Sequence, residues 1–143
     1  MPWGKLTLGG VNRLPQAKRI QVLENLIQGQ SIRSIVRTTG VAKNTIVKLL
    51  AEVGAACAAF QDQHLRGLPC VRLSCDEVLS FARAQQKDGA VEKQSRRGIC
   101  HAIALHLMYF NFCRIDQTLR TTPAMAAKVT DRAWELADIV ALL

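Results

Sequence analysis

The 143 residues read as a mainly α chain: three short helices at the N-terminal end, a short strand or hairpin, then further helices. Three observations lead there. Apolar residues recur at helical spacing from Leu14 to Phe60. Residues 99–112, ICHAIALHLMYFNF, form an apolar run long enough for roughly four helical turns. Only one stretch alternates with a period of two, as a half-buried strand does: Val71, Leu73 and Cys75 separated by Arg72 and Ser74.

Residues 1–11 are Gly-rich and patternless and are expected to be disordered. The first helix is carried by Ile20, Leu23, Leu26 and Ile27, with Pro15 suited to its first turn and Gly29 to its end. Ser31 can cap the second helix, whose apolar face is Ile32, Ile35 and Val36. Gly40 then tolerates a left-handed corner, and Val41, Ile46, Leu49 and Leu50 resume the stripe in a third helix from about Lys43 through Val53, Ala56 and Phe60. Residues 12–66 thus form one expected unit. The strand at 71–75 ends in Asp76-Glu77, and polar residues 83–98 look like a linker, so 67–98 is expected to be strand plus linker. The C-terminal segment, 99–143, follows with the apolar helix and two further helix starts, Thr122 before Pro123 and Thr130 before Asp131.

Two short helices hinged on a glycine are the sequence pattern of a helix-turn-helix. Arg33 lies on its first helix, while Lys43, Asn44 and Thr45 open the second, with Lys48 about one turn on. Such side chains suit phosphates and base edges in a major groove. The charge agrees. The chain carries a net +8, of which residues 1–56 hold +6 and residues 57–143 only +2. A basic excess that coincides with the motif is the electrostatic footprint of a nucleic-acid binder, here of double-stranded DNA.

Other classes are disfavoured. Cys57, Cys70, Cys75, Cys100 and Cys113 form no CxxC pair and no zinc spacing with His, so reduced, mostly buried thiols and a cytoplasmic protein are expected. No apolar run approaches the ~20 residues of a membrane span. His101 and His106 are five apart, a spacing that matches poorly on one helix face, and His64 is expected to be exposed.

The stretch NRLPQAKRIQVLENLIQGQSIRSIVRTTGVAKNTIVKLL, then CDE, then YFNFCRIDQTLRTTPAMAAKVTDRAWELADIVALL resembles bacterial insertion-sequence transposases of the DDE type. The more specific signature is Asn111-x-x-Arg114 followed by Thr118-Leu119-Arg120-x-Thr122-Pro123-Ala124. The resemblance implies an N-terminal helix-turn-helix that recognises the element's terminal repeats and an RNase H-like core that cuts and joins DNA. It also implies three carboxylates on divalent metal such as magnesium, which activates the attacking oxygen and stabilises the leaving one.

Asp76 matches the first of those carboxylates; Glu77 is not one of the three. The other two have no counterpart. About twenty residues separate Phe81 from His101, enough for one hairpin and not for a full sheet, and the acids there, Asp88 and Glu92, lie in no family motif. The chain therefore reads as an internally deleted transposase, catalytically inactive and without a metal site, in which the 67–98 segment is a remnant of the RNase H-like core. It would bind DNA, as a homo-oligomer or beside an intact transposase. The alternatives are a small recombinase completed by a partner chain and a remnant that does not fold, since the helix at 99–112 would lack the sheet it packs on. Three departures accompany the deletion: Asp116 stands where the family usually has His, Ala42 where a capping Ser is common, and MPWGKLTLGG has no counterpart, so translation is expected to begin at Val11.

Overall fold

The computed structural model describes residues 13–69 and 95–143, and within them the chain is mainly helical. Helices form as α1 (Gln16–Ile27), α2 (Ile32–Thr39), α3 (Lys43–His64), α4 (Ser95–Met108), α5 (Pro123–Ala126) and α6 (Leu136–Val140). A π-helical turn, Tyr109–Cys113, continues α4. Among the described residues the sole extended pairing is an isolated antiparallel bridge between Asp116 and Thr121. The expected strand, Asp76, Asp88, Glu92, Cys70 and Cys75 all lie outside the described residues.

The N-terminal helices follow their punctuation. Pro15 sits just ahead of α1, and its carbonyl accepts the Arg19 N–H at 3.0 Å. The Ser31 hydroxyl caps α2 by accepting from Ser34 N at 3.2 Å. Gly40 ends α2 at φ +73°, a conformation that costs an L side chain about 1–2 kcal/mol. Helix α3 runs 22 residues, straight through Gly54.

The core is shared by both ends of the chain. Val22, Leu23 and Leu26 of α1, Ile35 of α2, and Ile46, Leu49, Val53 and Cys57 of α3 join Leu105, Met108 and Phe112 in one buried cluster, closed by Ala124, Ile139 and Val140. Helices α3 and α4 pack along each other, and α6 packs on α1. Residues Ala102, Leu105, Met108 and Phe112 of the apolar run are buried, so the helix that was expected to lack a sheet is covered by α3 instead. Gln61 Nε2 adds a polar tie, donating to the Ala104 carbonyl at 3.0 Å. An aromatic cluster seals the junction: the Phe112 ring meets Phe60 edge-on at 5.5 Å and Trp134 at 5.0 Å.

Two boundaries differ from expectation. Residues 95–98, placed in a linker by their polarity, are the first turn of α4. Gly98 lowers helix propensity by about 1 kcal/mol, too little by itself to end a helix whose later turns, from Ala102 on, are buried. Thr122 caps α5 as expected, accepting from Met125 N at 3.2 Å. Thr130 starts no helix: its hydroxyl donates to the Arg132 carbonyl at 3.1 Å and accepts from Trp134 Nε1 at 3.3 Å. With Trp134 N also held by the Phe112 carbonyl at 2.8 Å, the segment stays irregular and α6 opens only after Glu135.

A capping box opens α6. The Asp138 carboxylate accepts Glu135 N at 2.8 Å and a forked pair of hydrogen bonds from Arg132, at 2.8 and 2.9 Å. The Arg132 bonds first, then the Glu135 N–H, pull its pKa down to about 2. A carboxyl near 3.9 when unfolded and lower when folded stabilises the fold above its unfolded pKa and loses that contribution as pH falls through the folded one. Asp138→Asn keeps an acceptor for the Glu135 N–H and loses the solvent-screened ion pair with Arg132, and is therefore expected to lower stability by up to about 1 kcal/mol at neutral pH. In denaturant titrations the gap to wild type should close as pH falls from about 5 toward 2. A gap independent of pH would assign the effect to packing.

Candidate nucleic-acid interface

The face singled out by the sequence is built on the corner between α2 and α3, residues 40–42. Several bonds hold that corner. Gly40 N–H donates to the Val36 carbonyl at 2.9 Å, and the buried Thr39 hydroxyl donates to the Ile35 carbonyl at 2.7 Å while accepting Val41 N at 3.3 Å. Lys18 reaches over from α1, its ammonium 2.9 Å from the Thr39 carbonyl. A lysine at a helix C-terminus also meets the negative end of the helix dipole.

With Ile46, Leu49 and Val53 turned into the core, the opposite side of α3 faces outward. Lys43, Asn44 and Lys48 are exposed there, and Thr45 is half-buried. Ala42 is the N-cap of α3 and supplies no side-chain cap to the first-turn N–H groups. The Lys48 side chain is 79% exposed and its ammonium stands 3.9 Å from Glu52, a loose i,i+4 pair of small worth. On α2, Arg33 is exposed, as is Arg37 one turn later. Arg37, Lys18 and Val47 were not singled out from the sequence. The i,i+4 spacing of the two arginines was a usable signal for Arg37. Lys18 and Val47 are placed only by the tertiary structure, because nothing local distinguishes them from ordinary surface residues.

The remaining candidates lie elsewhere. The Arg114 guanidinium sits 5.2 Å over the Phe110 ring, beside an open groove of about 260 Å³ lined with Ile115, Asp116, Gln117, Thr118 and Pro123. Asp116, where a histidine was expected from the resemblance, organises its own loop: Oδ1 accepts Thr118 N at 2.7 Å and Leu119 N at 3.0 Å. Those N–H groups, Leu119 first, hold its carboxyl below the usual carboxylate range. The same loop places the exposed Arg120 at φ +55°.

His64 is exposed and stacks on Phe60, and His101 is half-buried against Gly54. Cys57 is buried and Cys113 half-buried, and burial pushes both thiols up to about 12, which makes them inert; Cys100 is exposed. No group of three or more His, Cys, Asp or Glu able to hold a metal is present among the described residues. The one residue matched to a metal-binding role, Asp76, lies outside them. No described helix is long and apolar enough to cross a membrane. Comparison with protein-family models, with curated proteins and with solved structures finds no match to this chain.

Proposed function

We propose that this chain is a DNA-binding protein of the transposase type, which keeps an end-recognising helix-turn-helix and has lost the catalytic core. The observation that carries the reading is the exposed set Lys43, Asn44 and Lys48 at the start of α3, next to a braced corner and the exposed Arg33 and Arg37 of α2. A helix whose first turns present cations and an amide, backed by Ile46 and Leu49 in the core, has the chemistry of a recognition helix. The charge excess of +6 in residues 1–56 supplies attraction to phosphates. On this reading the protein acts in the cytoplasm, occupies the terminal repeats of an element without cutting them, and competes or pairs with an intact transposase.

The test is a binding titration of the full chain against an unselected duplex and against one carrying the terminal repeat of a resembling element, at about 50 and 200 mM salt. Binding should weaken steeply with salt and favour the terminal repeat. Lys43→Ala and Lys48→Ala should each reduce the salt slope by about one, and Asn44→Ala should weaken the preferred duplex by about 1–3 kcal/mol. Binding that ignores salt, or variants that bind as wild type does, would remove the basis of the reading.

A further inference from the structure

Among the described residues the large exposed apolar side chains are Val47, Ile115 and Leu119. Ile115 and Leu119 belong to the loop ordered by Asp116, and nothing there indicates what would cover them. Val47 has a context. It is 38% exposed on α3, four residues after Lys43, three after Asn44 and immediately before Lys48, all exposed. On a helix, positions three and four apart are neighbours on one face. The outward face of the first two turns of α3 therefore sets a cation and an amide each one turn from a branched apolar side chain, with a second cation one turn from the amide.

Resting on the DNA-binding reading above, we infer that Val47 is a specificity-determining residue that packs against the C5-methyl of a thymine in the major groove, next to the base pair contacted by Asn44. The chemistry fits one ligand. The thymine methyl is the apolar group that the major-groove edge of a base pair presents, and it is met by apolar side chains. The Asn amide matches the paired donor and acceptor of adenine on the same groove edge. Lys43 and Lys48 flank the pair as phosphate ligands, where a point charge positions without reading sequence. A branched hydrocarbon inside a cationic, amide-bearing face fits a methylated base edge in a polyanion better than an apolar protein surface, which would leave the lysines beside it desolvated.

The experiment selects duplexes from a random-sequence library with the full wild-type chain and measures affinity for the enriched sequence. Deoxyuridine then replaces thymine at each fixed position in turn, which removes only the methyl group. One substitution should weaken wild-type binding about 4-fold, the worth of one buried methyl. Val47→Ser, which lacks a γ-methyl, should bind both duplexes equally, and Val47→Thr, which retains one, should restore the discrimination. Because Val47 is outside the core, circular dichroism should show all three proteins equally folded. Enrichment of a fixed sequence without a methyl-dependent position, or with one that Val47→Ser retains, overturns the inference while DNA recognition stands. Absence of salt-sensitive binding to any duplex overturns the DNA-binding reading itself, and the inference with it.

Discussion

Phe112→Ala is expected to lower the free energy of unfolding by about 3–5 kcal/mol, read from the midpoint of a urea titration. Phe112 is fully buried and stands where three parts of the chain meet. Its ring touches Phe60 of α3 and Trp134 of the irregular C-terminal segment, and its carbonyl holds Trp134 N. Removing the ring takes an aromatic from two partners at once, and the remaining rings cannot fill the space without leaving their own contacts. The π-turn makes collapse harder still. Arg114 N–H bonds back to the Tyr109 carbonyl at 2.9 Å, so the backbone at 112 is tied in a wide turn. Against a typical total of about 5–15 kcal/mol, such a loss leaves a marginal fold. Phe112→Leu should recover most of it. A loss under about 1 kcal/mol would mean that the C-terminal segment contributes little to the cooperative unit, and that the 99–112 helix lacks cover after all.

Gly54→Ala is expected to be destabilising by about 2 kcal/mol, although alanine is the better helix former by about 1 kcal/mol. The sign is set by α4. A β-carbon at 54 would meet the His101 Cβ, lie 2.5 Å from its Cα and lie 2.8 Å from its carbonyl oxygen. Two of those atoms are backbone, and no rotamer change moves them. The helices must separate, and that opens the packing around Val53, Cys57 and Leu105 on either side. Gly98→Ala gives the contrasting outcome. It lies in α4, where an added β-carbon meets nothing within 4 Å, so the propensity gain is expected to appear as stabilisation of up to about 1 kcal/mol. Both melting curves are read against wild type. Equal effects at the two glycines would show that α3 and α4 are not in close contact in solution.

Much of the local structure was legible in the residues because its causes are local. Ser31 and Thr122 cap the helices they precede, and Gly40 closes α2 with a left-handed residue. The misread places share a different cause. Thr130 has the look of a cap, but Trp134, held by Phe112 from 22 positions away, keeps the following backbone out of a helix. Residues 95–98 look like linker because polarity and Gly98 are all that a short window contains, whereas α4 extends through them. Asp116 reads as a lost histidine, yet the folded loop uses its carboxylate on two N–H groups. At the candidate interface, residue type and spacing were enough to pick Lys43, Asn44 and Lys48, since Ile46 and Leu49 dictate which side of α3 is buried. They were not enough for Val47, an apolar residue in an apolar-rich helix that the fold leaves 38% exposed.

By itself the sequence determined the helical class of the chain, most helix boundaries and the concentration of positive charge in residues 1–56, because propensity, capping and net charge are properties of residues and near neighbours. Only the tertiary structure decided what the apolar run after residue 98 packs on. Its partner is α3, admitted by the missing side chain of Gly54 and locked by Phe60, Phe112 and Trp134. Periodicity marks which face of a helix is apolar. Which surface fills that face depends on shape matched across segments distant in sequence, and a one-dimensional pattern does not carry shape.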